Sequence, residues 1–392
     1  MSQPSPTILT GTLLLLFGTL ALAQSATTGP VAQPPVPTGI PPHIESRVLD
    51  LASLTSMDAL LDRLTDRRVI FVGESHDRYE DHLNQLAIIQ GLHTRGRPLA
   101  IGLEFFQQPF QADIDAYIAG TIPEAEFLRR TQYFDRWRYD YRLYRPILQF
   151  AREQRIPVIA LNLASELTAK VGDVGIAGLT EAERARIPTE IDRDDPAYRQ
   201  RVESVFKLHP AEQQHNLEHF LEVQLLWDEG MAERAARVLA DDPGRTLVVL
   251  AGAGHIEYGQ GIPNRLLRRQ PVPSAILLNG ANRRPDPAAA DFFLYPQPAE
   301  LPPPGLLGVM LDNETSGNGV LVKGFGDESG AKIAGLAEGD RIVGVGEASI
   351  ANYADIRIAL LDSRPGLTLP VVVERKRLIG DDERLTFLVE LH

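Results

Sequence analysis

Apolar positions along this chain gather into short runs that stop abruptly at polar residues. The clearest run is Val69-Ile70-Phe71-Val72, closed by Gly73-Glu74-Ser75-His76-Asp77. Four β-branched or aromatic residues in succession, with a helical pattern directly after, read as a buried strand. Three further runs have the same form. Pro98-Leu99-Ala100-Ile101-Gly102-Leu103 stops at Glu104, and Ile156-Pro157-Val158-Ile159-Ala160-Leu161 stops at Asn162. Thr246-Leu247-Val248-Val249-Leu250 runs into Ala251-Gly252-Ala253-Gly254-His255. Helical patterning fills residues 48–64, 81–89 and 217–239. Strands alternating with helices predict the fold class α/β, with a mostly parallel sheet and helices on both faces.

If the extended geometry persists past Gly73, period-2 alternation sets Glu74 and His76 on the same side. The C-terminal ends of parallel strands share one edge, where open α/β sheets bind ligands. Taken singly, Glu74, His76, Glu104, Asn162 and His255 are each explained as a cap or a satisfied core group. Four strands ending this way in register point instead to one shared site.

Between the second and third strands lies Tyr133-Phe134-Asp135-Arg136-Trp137-Arg138-Tyr139-Asp140-Tyr141-Arg142-Leu143-Tyr144-Arg145. At helical spacing Trp137, Tyr141, Tyr144 and Leu148 share a face. Such a stripe either packs a helix on the sheet or forms a platform for a flat aromatic ligand. In the second case Arg136, Arg138, Arg142 or Arg145 would reach the ligand's carboxylates. Residues 177–208 are polar and weakly patterned, which predicts a helical insertion or mobile lid over the site. Gln224 and Asp228, one turn apart, are expected on a solvated helix face unless Asp228 turns toward His255.

Pro296-Gln297-Pro298 and Pro302-Pro303-Pro304 mark an extended linker, after which the composition shifts to Gly and Val in short strands. Gly305-Leu306-Leu307-Gly308-Val309, Gly319-Val320-Leu321-Val322, Gly339-Asp340-Arg341-Ile342-Val343 and a helix from Tyr353 to Leu361 follow in order. This run resembles a PDZ domain, a small β-barrel-like module, over residues 303–392. The resemblance implies that Leu307, Gly308 and Val309 offer backbone N–H groups to a peptide C-terminus. The peptide would then add as a strand facing the helix with Ile356 and Leu360.

With 392 residues there is room for two or three domains and a sizeable core. A net charge of −13 excludes nucleic acid as a primary partner. Cysteine is absent, which excludes disulfides, a thiolate nucleophile and Cys-based metal sites. An apolar stretch ending Ala21-Leu22-Ala23 reads as an export signal, so a periplasmic or secreted protein is expected. No Cys follows it for lipid attachment, so membrane association would need another route. The expected organisation is a signal segment at 1–23, a Pro-rich tether at 24–43, an α/β domain at 44–280, a linker at 281–302 and the PDZ module at 303–392.

The α/β part resembles the ChaN-like haem-binding uptake family, within the Tiki/TraB/erythromycin-esterase superfamily. The resemblance covers about residues 45–280. It is carried by Gly73-Glu74-Ser75-His76-Asp77, Leu103-Glu104, Tyr144-Arg145-Pro146-Ile147-Leu148, Ala160-Leu161-Asn162, Gly252-Ala253-Gly254-His255 and the helix from Gln224 to Ala232. The family implies haem as cofactor. Tyr144 or a neighbour such as Tyr141, or His76 or His255, would ligate iron, with Arg145 and Asn162 also at the ligand. The superfamily also contains hydrolases. In that alternative Glu74, His76, Glu104 and His255 form a catalytic cluster, or ligate a divalent metal such as Zn, Mn or Fe that activates water. A third expectation is a PDZ-bearing adaptor whose first domain has lost its chemistry.

Overall fold

The computed structural model describes residues 54–210, 216–281, 283–312, 318–377 and 381–392. The expected signal segment and tether lie outside the described residues, as do residues 48–53 of the first helical pattern.

The first sheet comprises β1 (Val69–Glu74), β2 (Leu99–Gln107), β3 (Val158–Asn162), β4 (Thr246–Gly252), β5 (Ser274–Asn279) and β6 (Phe292–Leu294). Their order is β3-β2-β4-β1-β5-β6, and every pairing is parallel. Around it, in chain order, run α1 (Met57–Leu64), α2 (Tyr79–Thr94), α3 (Gln111–Ile118), α4 (Glu124–Arg130), α5 (Tyr133–Arg136) and α6 (Tyr141–Glu153). They are followed by α7 (Ser165–Val174), α8 (Glu181–Arg184), α9 (Pro196–Phe206), α10 (Leu217–Asp241) and α11 (Ile262–Arg269).

Strand alternation divides the apolar residues between the two faces. Ile70 and Val72 join Ile88, Ile89 and Leu148 in one core; Val69 and Phe71 join Met231, Ala235 and Leu266 in the other. A strand buried on both faces has no polar position to spare, which is why these segments read as continuous apolar runs.

Three expectations are corrected here. Strand β2 does not stop at Glu104 but continues to Gln107, with a register shift against β3 between Leu103 and Gln107. Glu104 is therefore a residue within a strand that leaves its neighbour. The sheet also continues beyond the expected boundary at 280. Phe292–Leu294 pairs with β5, so the expected linker carries a strand of the first sheet. Surrounding prolines disguised a strand of three residues. Finally, the aromatic segment is not one helix. It breaks between Arg136 and Tyr141, and Asp140 caps α6 by accepting from the Arg142 N–H. Tyr141, Tyr144 and Leu148 are buried on α6, while Trp137 lies on the connecting loop.

The second sheet is antiparallel. It contains β7 (Val309–Asp312), β8 (Val320–Phe325), β9 (Arg341–Val345), β10 (Ala348–Ser349), β11 (Thr368–Arg375) and β12 (Glu383–Glu390), in the order β12-β11-β9-β8-β7 with β10 on β9. Two helices, α12 (Gly330–Ala334) and α13 (Tyr353–Ala359), flank it. The module has its own core around Leu307, Val322, Ile342, Ile356 and Val371. Helix α13 also touches the first domain. Asp355 accepts from Arg129 at 2.7 Å, Arg357 lies over the Phe134 ring, and Ile358 and Leu361 pack on the first domain's core.

Gly73 sits where β1 passes close to β5 and to the turn after β4. A Cβ there would fall 2.5 Å from Leu278 Cδ2 and 3.2 Å from the Ala253 backbone. Gly73→Ala should therefore destabilise the fold by about 1–3 kcal/mol through overpacking, read from urea unfolding of the full chain.

Candidate functional site

Strand β1 delivers Glu74 to the sheet edge, and the chain turns through Ser75–Asp77 into α2. The turn is pinned by the Ser75 N–H, which donates to Asp81 at 2.8 Å. His76 folds back so that Nδ1 lies 2.8 Å from Glu74 Oε1. The other groups on this carboxylate come from two helices. From α2, Gln85 donates to Oε2 at 2.6 Å and His82 Nδ1 lies 3.4 Å from it. From α6, the Tyr144 hydroxyl donates to Oε1 at 3.1 Å.

Glu74 is 4% exposed. Burial alone would raise its carboxyl, but the His82 charge and the hydrogen bonds from His76 and His82 outweigh this and hold it well below the usual range. Burial likewise works against protonation of His76 and His82, and their acidic neighbours outweigh it.

A second couple mirrors the first. Strand β4 ends at Gly252, and a tight turn places His255 with Nδ1 2.7 Å from Asp228 of α10. The other oxygen of Asp228 accepts from the Tyr198 hydroxyl of α9 at 2.7 Å. Burial would lower the His255 pKa, but Asp228, Glu104 and the Asp228 hydrogen bond raise it to about 9.

Glu104 stands between the two couples. Its Oε2 accepts from the Gly252 N–H at 2.6 Å, and its Oε1 is 3.5 Å from His255 Nε2. A Cβ on Gly252 would lie 3.1 Å from His76 Nε2 and 3.6 Å from Glu104 Oε2, so glycine keeps these groups together. Each imidazole is anchored through Nδ1 by a carboxylate and turns its Nε2 side inward. Such anchoring fixes ring orientation and raises basicity, which suits proton transfer or metal ligation.

The expected four-residue cluster is thus assembled, but its members differ in role. Glu74 has its acceptor capacity filled by neighbouring donors and orients His76. Among the described residues no group of three or more His, Asp or Glu side chains is arranged to hold a metal ion. The metal set Glu74, His76, Glu104 and His255 is therefore corrected on geometry, since Glu74 is already engaged by His76, Gln85 and Tyr144 and cannot join the others as a ligand.

The expected haem contacts are also displaced. Tyr144 is fully buried and gives its proton to Glu74, and Tyr141 gives its proton to Glu124 at 3.0 Å. Burial pushes both phenols well above their ordinary range. Neither is placed to ligate iron. Arg145 forks onto Glu124 and also pairs with Asp362 of the second module. Arg136 is held by Gln107, Ser165 and Glu166, and Arg142 by Asp140. Asn162 accepts from the next residue's N–H and remains a local turn contact.

His76 is instead covered by the broken aromatic segment. The Trp137 and Tyr139 rings each lie 4.9 Å from it. On the opposite side α9 closes over the second couple, where Arg201 donates to the Gly254 carbonyl. The expected lid is therefore partly helical, and it reaches the site through Tyr198 and Arg201.

Sequence reasoning did not single out His82, Gln85, Tyr198 or Arg201. A signal existed for two of them: His82, Gln85, Ile89 and Leu92 follow helical spacing, which puts two polar residues on the buried face of α2. Gln224 and Asp228, expected on a solvated face, are 4% and 1% exposed.

Fold and site together define an open α/β domain with a polar cluster at the strand C-termini. Residues 60–266, just over half the chain, match the family described as haem-binding uptake, Tiki superfamily, ChaN. The chain belongs to this family. The structure titled cofacial heme binding to ChaN of Campylobacter jejuni aligns over 62% of this chain and 92% of that one, at 18% identity and a TM-score of 0.51. That likeness establishes the shared fold. Protein RETICULATA-RELATED 5, chloroplastic, from Arabidopsis thaliana is 26% identical over 241 residues, covering 55% of this chain and 31% of that protein. The chain thus spans about a third of the length of this curated relative. The HtrA3 PDZ domain bound to a phage-derived ligand aligns with 22% of this chain and 85% of that one, at 20% identity and a TM-score of 0.19. So small a likeness carries no argument for the second module.

The His255 shift makes stability depend on pH. Its folded pKa of about 9 lies above its ordinary 6.5, so its stabilising contribution is complete below pH 6.5 and is lost as pH rises through 9. The melting temperature should fall across this window. The fall should be shallower in His255→Gln, the remainder belonging to His76 and His82, whose pKa values are also raised.

Proposed function

We propose that this is an exported haem-binding protein whose α/β domain takes haem at the aromatic face over His76. Family membership supports the ligand class. The observation that carries the location is the grouping of Trp137 and Tyr139 around a carboxylate-anchored histidine at the sheet edge. Tyr139 is half-buried, and its hydroxyl is engaged by no group among the described residues. These residues fit the cofactor: Tyr139 would supply the iron ligand, and Trp137 would cover the ring. Bound haem would supply its own iron chemistry, while the chain binds and orients it.

Burial raises the Tyr139 pKa, and the charges of Asp77, Glu104 and Glu74 raise it further. Iron binding must therefore drive off a phenolic proton, so affinity should increase with pH. Titrating the purified chain with hemin should give a saturable Soret shift. Tyr139→Phe should change the ligand-field bands and weaken binding about tenfold or more. An absent Soret shift in the unaltered chain would sink this reading.

Hydrolysis is the second reading, favoured by Glu104 lying between two carboxylate-anchored imidazoles. A buried acid flanked by oriented histidines can shuttle protons to and from water and a leaving group. In this reading Glu104→Gln should abolish turnover of a small ester or peptide while leaving hemin binding intact. A rate unchanged by Glu104→Gln would remove it.

For the second module we propose a peptide-binding, PDZ-like role. Gly308 has φ +72°, a conformation open to glycine, and the Leu307 carbonyl is held by the Ala331 N–H at 3.0 Å. Strand β7 is the last strand of its sheet, as strand addition requires.

A further inference from the structure

The cluster at the sheet edge is shut in: His76 is 7% exposed, Glu104 5% and His255 2%. On the His76 side the cover is the strap of residues 132–140, which carries Trp137 and Tyr139. It leaves α4 at Gln132, whose backbone is left-handed at φ +52° although the residue is not glycine. Such a conformation persists only where its surroundings hold it. Within the strap, the Trp137 N–H donates to the Tyr133 carbonyl at 2.8 Å, and the Tyr133 hydroxyl donates to the Tyr139 carbonyl at 3.2 Å. Helix α5 has only four residues and no side-chain cap, so it contributes little stiffness of its own.

Further holds come from the second module. Helix α13 spans the kink at Gln132. Asp355 takes Arg129 of α4 on one side, and Arg357 lies 5.1 Å over the Phe134 ring of α5 on the other. Arg357 also donates to the Tyr353 hydroxyl, one turn before it, at 3.0 Å, which steadies the guanidinium over that ring. Its charge reaches the far end of the strap as well. Burial would raise the Asp140 carboxyl, but Arg142 and, more weakly, Arg357 hold it below its ordinary range. Arg142 in turn donates to the Pro302 carbonyl at 2.8 Å, where the chain enters the second module. Both ends of the strap are thus tied to residues beyond the α/β domain, while its middle faces His76.

We propose that helix α13 is the latch of the ligand site and that Arg357 is a positioning residue for it. Seated against α4 and α5, α13 holds Trp137 and Tyr139 over His76; when the second module shifts, the cover shifts with it. The second module is then a working part of the site on the first domain, apart from anything it binds itself.

The chain has two tryptophans, so in a Trp227→Phe background of the full chain the indole emission belongs to Trp137. Arg357→Met keeps the side-chain stem and removes the charge, whereas Arg357→Lys keeps a cation. Arg357→Met should raise acrylamide quenching of Trp137. It should also speed hydrogen exchange of residues 132–140 about tenfold, with α1 and α2 unchanged. Arg357→Lys should restore most of both. Phe134→Leu removes the other partner and should reproduce the change, and the double variant should add nothing to either single one. Hemin affinity should fall about fivefold in Arg357→Met, with the ligand-field bands altered.

The hemin measurement rests on the proposed haem reading; quenching and exchange, done without hemin, do not. An unaltered chain that gives no Soret shift would therefore remove haem and leave the latch to be decided by the other two. Quenching and exchange equal in Arg357→Met and its parent would overturn the latch. So would faster exchange spread evenly through the first domain, which marks a general loosening. If Arg357→Met does not fold, Phe134→Leu decides by the same two readings.

Discussion

A carboxylate shut away from water has to be matched donor by donor, and the structure turns on how Glu74 is matched. Leaving such a charge unpaired in the interior costs several kcal/mol, and removing one of its partners costs about 3–5 kcal/mol. Here the partners come from the turn after β1, from α2 and from α6, with Tyr144 lying 70 residues along the chain. The set closes only when both helices are seated on the sheet. Glu74 is therefore a clamp before it is a chemical group, and its demands settle what Tyr144 can do. A fully buried phenol that gives its proton to such a carboxylate cannot turn to an outside ligand without leaving the carboxylate short of a donor.

The second couple repeats the arrangement with fewer partners and a different dependence. His255 and Asp228 rest on β4 and α10, but the other Asp228 oxygen is satisfied from α9. One imidazole is held by the body of the domain, the other partly by its covering insertion. Glu104 lies between a rigid half and a half whose packing includes α9. Lids that complete a constellation commonly contribute in this way, by supplying an orienting contact rather than a reacting group.

The α/β architecture was readable because strands buried on two faces leave unbroken apolar runs, and because each run stopped at a residue out of place. That reading gave Glu74, His76, Glu104 and His255 their common edge. It misassigned Tyr144, Tyr141 and Arg145 for a physical reason. Helical spacing shows which residues share a face but not whether that face looks outward, and here it looks inward. Period also could not see the break at residues 137–140, which frees Trp137 and Tyr139 to cover His76. Tyr198 escaped because its partner Asp228 is distant in sequence and only the closed fold joins them. His82 lies near Glu74 in the chain, and its signal, a polar residue on the buried face of α2, was present but passed over.

Arg145, expected to meet a ligand, instead spans Glu124 and Asp362, while Arg129 holds Asp355 and α13 sets Ile358 and Leu361 on the first domain. The boundary between the modules is thus an apolar seam with charged rivets at its rim. Severing the chain there would strand a carboxylate-facing arginine and an oily patch on the larger fragment. Anyone shortening this protein to its haem-family portion should expect the freed surface to seek a substitute, in another copy or in aggregates.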